Sequence, residues 1–304
     1  MTLLRMVEEG IKMYHNEKIK HIGNDTWFIS NFSSLSDLHN YLTSNPPLNK
    51  KVFHSLSSQS KDVSFNGIDY ESSLKCLVGD LHESLKVNMN KFLELSKKLE
   101  GKYKLSDSTY KRIHGFYGSI PDIDAYLREK PNNMIRLERA KEAKVIEINF
   151  NLSYPFFTLD SQILNRGIIT INLIKLLEKN NYRVRFNTFM LVRKYDEIIY
   201  VKVTLKKDNE QLNIGKCFFP LCCKEFLRRI MFRIIESKEV INDWASGYGS
   251  NIRASEIRDL LKIENDDIVI TYPENMGIDG LNLFNDASKF MAKVNLKKYV
   301  KIKK

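Results

Sequence analysis

From residue 144 onward, apolar runs with strand-like and helix-like spacing follow one another. "KVIEINFNLS" (144–153) reads as a strand and "YRVRFNTFMLV" (182–192) as a second. Between them, "LDSQILNRGIITINLIKLLEKNN" carries Ile163, Leu164, Gly167, Ile168, Ile171, Ile174 and Leu177 at spacings of three and four, the mark of a helix with a buried face. Strand, crossover helix and strand make a βαβ unit, which requires a parallel pair. "EIIYVKVTLKK" then predicts a third strand after a hairpin turn at Lys194 to Asp196. "CCKEFLRRIMFRIIESKE" predicts a helix with Phe226, Leu227, Ile230, Met231, Ile234 and Ile235 on its apolar side. "DDIVITYP" predicts a short buried strand and "NDASKFMAKV" a last helix. This alternation describes an α/β fold, a three-layer, Rossmann-like domain with a mostly parallel sheet over residues 144–292.

The preceding text is more polar. Residues 1–63 read as a helical arm: Ser33 or Ser34 caps a short helix, and the pair Pro46 and Pro47 breaks it. Residues 64–143 read as a helical and irregular connecting region. It opens with a turn at Asn66 and Gly67 and a helix starting near Tyr70. An amphipathic helix follows, with Leu81, Leu85, Val87, Met89, Phe92, Leu93 and Leu95 on its apolar positions. Beyond residue 101, Gly, Pro and Asn punctuate the chain, and a domain boundary is expected there.

Composition agrees with a packed protein: 43% of the 304 residues are hydrophobic and 11% aromatic. No apolar run approaches the roughly 18 residues that a bilayer requires, and Glu8 and Glu9 stand where a signal peptide needs its apolar centre, so an intracellular, cytoplasmic location is expected and no membrane partner. Cys76 stands alone and Cys217, Cys222 and Cys223 crowd together, which is no disulfide framework. The last three are read as buried structural thiols or, near a helix N-terminus, as reactive ones.

Charge adds a second theme. The formal net charge is +11, and the last twelve residues, "KVNLKKYVKIKK" (293–304), hold six lysines and no acid. This tail is either a solvated end or an electrostatic clamp on nucleic acid through Lys297, Lys298 and Lys301. Arg228, Arg229 and Arg233 extend the choice: a phosphate-contact stripe, or a solvated face paired with Glu225 and Glu236. "WASGYG" places Trp244 and Tyr248 beside glycines, as a partner-contact surface or as plugs of the core.

Catalytic constellations are harder to find. All six histidines precede residue 115, so the α/β segment cannot hold a Ser-His-Asp, Cys-His or histidine-bearing zinc site of its own. Neither GxxxxGK[ST] nor GxGxxG occurs, and Asp122, Asp124, Glu147 and Asp160 are scattered. No cofactor, metal or catalytic residue is assigned.

In an open α/β sheet, ligands bind beyond the carboxyl ends of the strands, where the loop from Asn151 to Asp160 lies. Asn151, Ser153, Tyr154 and Asp160 are its ligand candidates. The loop resembles that of von Willebrand factor A-like domains, whose metal motif is Asp-x-Ser-x-Ser; here Asn151, Ser153 and Pro155 hold the corresponding positions. Two neutral oxygens and a proline suit a hard cation poorly. "FNGIDYESSLKCLVGD", "GSIPDIDAYLREKPNNMIRLE", "ILNRGIITINLIKLLEKNNYRV" and "FLRRIMFRIIE", in this order, resemble an uncharacterised family of phages and mobile elements with a von Willebrand A-like, cobaltochelatase-type C-terminal part. That resemblance implies a phage or mobile-element origin and a degenerate ligand loop. The expected function is non-catalytic binding or assembly, with a protein partner, itself or a host-defence component; the alternative is a basic nucleic-acid-binding factor.

Overall fold

The computed structural model describes residues 17–53, 56–102, 110–139, 144–155, 158–179, 182–240, 244, 248, 250–251, 254–263 and 267–271. Where a helical arm was expected, the chain begins with a β-hairpin, β1 (Glu17–Ile22) and β2 (Asp25–Phe32). Its two-residue turn is closed by Gly23, whose φ of +61° suits a residue without a side chain. Helix α1 (Leu35–Thr43) follows, capped by Ser34, whose Oγ accepts from the Asp37 amide at 3.1 Å. A 3-10 turn (Ser57–Gln59) and the short helices α2 (Val63–Asn66) and α3 (Tyr70–Cys76) lead to α4 (Glu83–Lys102). Asp69 caps α3 through the Ser72 amide at 2.8 Å, beside the predicted start at Tyr70.

The segment read as irregular contains a separate three-stranded antiparallel sheet, in which β3 (Tyr110–Gly115) and β4 (Ile120–Pro121) flank β5 (Met134–Arg139). The helix α5 (Ile123–Leu127) bridges β4 and β5 in the chain.

The expected βαβ unit is present as β6 (Val145–Asn151), α6 (Asp160–Lys179) and β7 (Arg183–Lys194), with β6 and β7 parallel. The hairpin to β8 (Glu197–Lys206) turns at Tyr195. Helix α7 (Ile214–Cys222) stops at the extended Cys223, after which a π-helical stretch (Phe226–Met231) runs into α8 (Phe232–Ile235). Then come β9 (Ser250–Asn251), α9 (Ala254–Leu261) and β10 (Ile268–Ile270). The expected last helix and the lysine-rich tail lie outside the described residues.

The main sheet has the order β1-β2-β8-β7-β6-β10, with β9 beside β7. Pairs β2/β8, β7/β6 and β6/β10 are parallel, whereas β1/β2, β8/β7 and β7/β9 are antiparallel. The protein is therefore a mixed α/β fold, in which the parallel character comes from β10-β6-β7 and from β2 docking on β8. One face of the sheet, with Ile146, Ile148, Phe186, Met190, Val201 and Val203, joins the helices in a core that runs from Phe28 to Ile270. Residues from α1, α3 and α4, including Leu38, Cys76 and Phe92, share it, so the core is not interrupted at residue 144. On the other face Trp27, Phe189, Leu191 and Ile198 pack with Ile257 of α9.

Close approach of α6 to α7 depends on Gly167. A Cβ there would meet Cys222 Sγ at 2.3 Å and Leu221 at 3.1 Å. Burial pushes the Cys217 thiol up to about 12, and those of Cys222 and Cys223 well above their ordinary range. Cys222 ends α7 and Cys223 directly precedes the next helical stretch, but both are buried with Cys217, and these thiols fill space as small apolar side chains.

Candidate functional site

The loop after β6 does lie at the carboxyl end of a parallel strand, and its polar atoms are mostly used locally. Asn151 is buried, and its side-chain oxygen accepts from the Ser153 amide at 3.0 Å, an Asx turn that shapes the loop. Its backbone carbonyl accepts from Arg166 Nη2, which also bonds the Ile270 carbonyl of β10 at 3.2 Å. The Arg166 guanidinium lies 4.0 Å from the centre of the Phe150 ring. The position beyond β6 and β10 is thus held by the chain's own fixed cation. A carbonyl that accepts from Arg166 beside a neutral Asn151 and Ser153 is a poor setting for a divalent cation. Asp160 is exposed and pairs with Lys224 at 3.4 Å. Tyr154 lies under Arg228, and burial raises its phenol above the ordinary value. Sequence reasoning missed Arg166; a lone arginine within the apolar stretch of α6 offered the only signal.

The arginine helix proves to be neither a phosphate stripe nor a solvated face. Arg228, Arg229 and Arg233 are all buried. Arg229 donates to five backbone carbonyls of the incoming chain: Ile68 at 2.7 Å, Ser57 at 3.0 Å, Ser58 at 3.4 Å, Ser60 at 2.7 Å and Gly67 at 3.1 Å. Arg233 reaches the Asn45 side chain at 2.9 Å and the Pro46 carbonyl at 2.6 Å. Arg228 is stacked against Phe65 at 4.2 Å and Phe232 at 5.4 Å. Apolar residues surround the arginines at 226, 227, 230, 231, 232, 234 and 235, so this stretch has no wet side, and the guanidinium groups must find acceptors in the protein. Residues 45–68 supply them.

The same helix ends in Glu236, buried, which accepts from the Ser58 amide and hydroxyl and from Tyr248. Tyr248 stacks on Phe232 at 3.9 Å and its hydroxyl also accepts from the Ser57 amide at 2.7 Å. Trp244 is buried and donates to Glu197 at 2.9 Å. Trp244 is therefore a core plug, and Tyr248, half-buried, packs against the core. Lys297, Lys298 and Lys301 lie outside the described residues.

The scattered carboxylates remain apart in their roles. Asp122 caps α5 through the Ala125 amide and pairs with His114 at 3.1 Å. Glu147 faces Asn187 at 2.9 Å and Lys202 at 3.4 Å on the polar part of the main sheet. Among the described residues no group of three or more His, Cys, Asp and Glu side chains is placed to hold a metal ion, and no helix is long and apolar enough to cross a membrane.

What does stand open is the small antiparallel unit. Of the large apolar side chains that are exposed among the described residues, six fall within twelve consecutive positions: Phe116 (75%), Tyr117 (68%), Ile120 (42%), Ile123 (66%), Tyr126 (68%) and Leu127 (72%). The others are spread singly over seven sites. On α5 only Ala125 turns inward, while Ile123, Tyr126 and Leu127 sit at i, i+3 and i+4 on one outer face. Arg136 is braced against Tyr117, 4.8 Å from its ring centre and bonded to its hydroxyl. The sequence did show these residues, but in a stretch read as a connector their outward direction was not visible.

A family model described as a domain of unknown function, DUF7192, matches residues 15–298, and the chain belongs to that family. No curated protein and no solved structure matches it.

Proposed function

We propose that this member of the DUF7192 family is a non-catalytic binding or assembly protein, whose contact surface is the apolar stretch from Phe116 to Leu127. The observation that carries it is the concentration of six exposed large apolar side chains on one small unit, while Trp244 and the arginines of the 226–235 helix are buried inside the molecule and Tyr248 is half-buried against Phe232. Exposed apolar side chains clustered in this way point to a protein-interaction site, whereas single exposed side chains need no explanation. Together the six present on the order of 800 Å², the area one partner contributes to a standard interface. The βαβ unit and its carboxyl-end loop keep the von Willebrand A-like, Rossmann-like comparison as an architectural proposal, with the loop as a structural turn. A phage or mobile-element setting, with host-defence components among the partners, belongs to the same proposal.

A nucleic-acid-binding role is the second reading. It is favoured by the net charge of +11 and loses the arginine helix, so that it rests on the lysines beyond residue 292. Salt separates the two: contacts through lysines weaken steeply as counterions compete, and apolar contacts do not. The test is chromatography with light scattering in low and high salt, on wild type and on the variant Ile123→Ser/Tyr126→Ser/Leu127→Ser. Salt-resistant association that the variant lacks is the expected outcome.

A further inference from the structure

The main sheet contains a second parallel pair, β2 and β8, whose carboxyl end is open. Strand β8 runs antiparallel to β7, so the carboxyl ends of β2 and β8 lie at the opposite end of the strands from the Asn151 loop that Arg166 holds. The chain leaves β2 into α1 and leaves β8 into α7, and a cavity of about 490 Å³ lies between these two connections. Its lining comes from residues 33–36, from the end of β8 through residue 216, and from the turn between α3 and α4 at residues 76–81. In open α/β sheets the crevice beyond the carboxyl ends of parallel strands is where ligands bind, and this volume suits a small molecule.

The wall of the cavity is chemically divided. Leu35, Leu77 and Leu205 form its apolar part and pack on the main core. Lys207 and Lys216 carry its positive charge, and neither side chain has an ion pair or hydrogen bond among the described residues. The neighbouring Lys206, by contrast, turns inward and pairs with Glu178 at 2.8 Å. Glu210, the one carboxylate among the described lining residues, accepts from the Lys207 amide at 3.0 Å and is held to its own loop. The Ser36 hydroxyl likewise has no partner among the described residues. We infer that this crevice binds a small phosphorylated molecule, with its phosphate met by Lys207, Lys216 and Ser36 and its apolar body against Leu35, Leu77 and Leu205. A phosphate monoester carries close to two negative charges at neutral pH, which two lysines balance. Inorganic phosphate alone would leave the leucine wall in water, so the body adds affinity. The site is separate from the surface formed by Phe116 to Leu127 and does not depend on its role.

Titration calorimetry of the full chain with phenyl phosphate, inorganic phosphate and phenol separates the two halves of the wall. Lys207→Gln and Lys216→Gln are the test variants, and Lys20→Gln, on the exposed edge strand β1, is the control for general charge. All three lysines are exposed, so the variants are expected to melt as wild type does. Phenyl phosphate is expected to bind wild type with a Kd below about 1 mM, at least about tenfold more tightly than inorganic phosphate or phenol. Each test variant should weaken it about tenfold, through loss of a charged contact, and Lys20→Gln should leave it unchanged. Wild type that takes up no phenyl phosphate at about 5 mM overturns the inference. Equal affinity for phenyl phosphate and inorganic phosphate also overturns it, because the apolar wall then contributes nothing. So do test variants that bind as wild type does, or a control that weakens binding as much as they do.

Discussion

Arg229 shows how a charged side chain becomes structural. Its three nitrogens serve the carbonyls of Ser57, Ser58, Ser60, Gly67 and Ile68, which the fold gathers around it. Removing the guanidinium leaves several acceptors desolvated and short of a donor, each worth about 1–3 kcal/mol. Arg229→Ala is therefore expected to lower stability by about 3 kcal/mol or more in urea unfolding; a loss below about 1 kcal/mol contradicts the cage. Glu236 adds a pH dependence. Burial holds its carboxyl above the ordinary value despite its bonds to Ser58 and Tyr248. The folded chain then binds this proton more tightly than the unfolded chain, so the contribution of Glu236 is full below the ordinary carboxylate pKa and is lost as pH rises through the raised one. Glu236→Gln cannot titrate. Relative to wild type it should gain stability between about pH 4.3 and neutrality, and a difference independent of pH across thermal melts contradicts the assignment.

At the scale of elements, helix α6 is the pivot between sheet and helical layer, and its closeness to α7 is set at one position. Gly167 leaves room for Cys222 and Leu221 where a methyl group would overlap both. Neither neighbour can withdraw easily: Leu221 is 2% and Cys222 5% exposed in the core. Gly167→Ala should cost about 1–3 kcal/mol by forcing the two helices apart, although alanine is the better helix former. An unchanged or raised melting temperature contradicts this packing. The sequence located α6 and the β6–β7 crossover because their patterns are long and local. It did not locate α7, since Pro220 interrupts "IGKCFFPLC". Nor did it locate β1 and β2. Trp27 and Phe28 are both buried, on opposite faces, so β2 lacks a clean alternation, and β1 as an edge strand is mostly exposed. Only the Gly23–Asn24 turn signalled a hairpin.

Over the whole molecule, one core unites segments that are far apart in sequence. Strand β2 pairs with the distant β8, Thr26 lying opposite Glu197, and residues 45–68 are pinned under the 226–235 helix. Such pairings are decided by tertiary packing, which a local pattern does not encode, and they turned an expected arm into part of the sheet. The same reason explains the candidate site. Arg228, Arg229, Arg233 and Trp244 carry the chemistry of a surface, and their burial is set by chain from elsewhere. Phe116, Tyr117, Ile120, Ile123, Tyr126 and Leu127 carry the chemistry of a core and are exposed. The most direct measurement is light scattering across a chromatographic peak in low and high salt, with absorbance at 260 and 280 nm, for wild type and the Ile123→Ser/Tyr126→Ser/Leu127→Ser variant. The expected result is a nucleic-acid-free oligomer that resists salt in wild type and a folded monomer in the variant. Equal mass for both proteins, or an assembly that salt dissolves with release of nucleic acid, contradicts it.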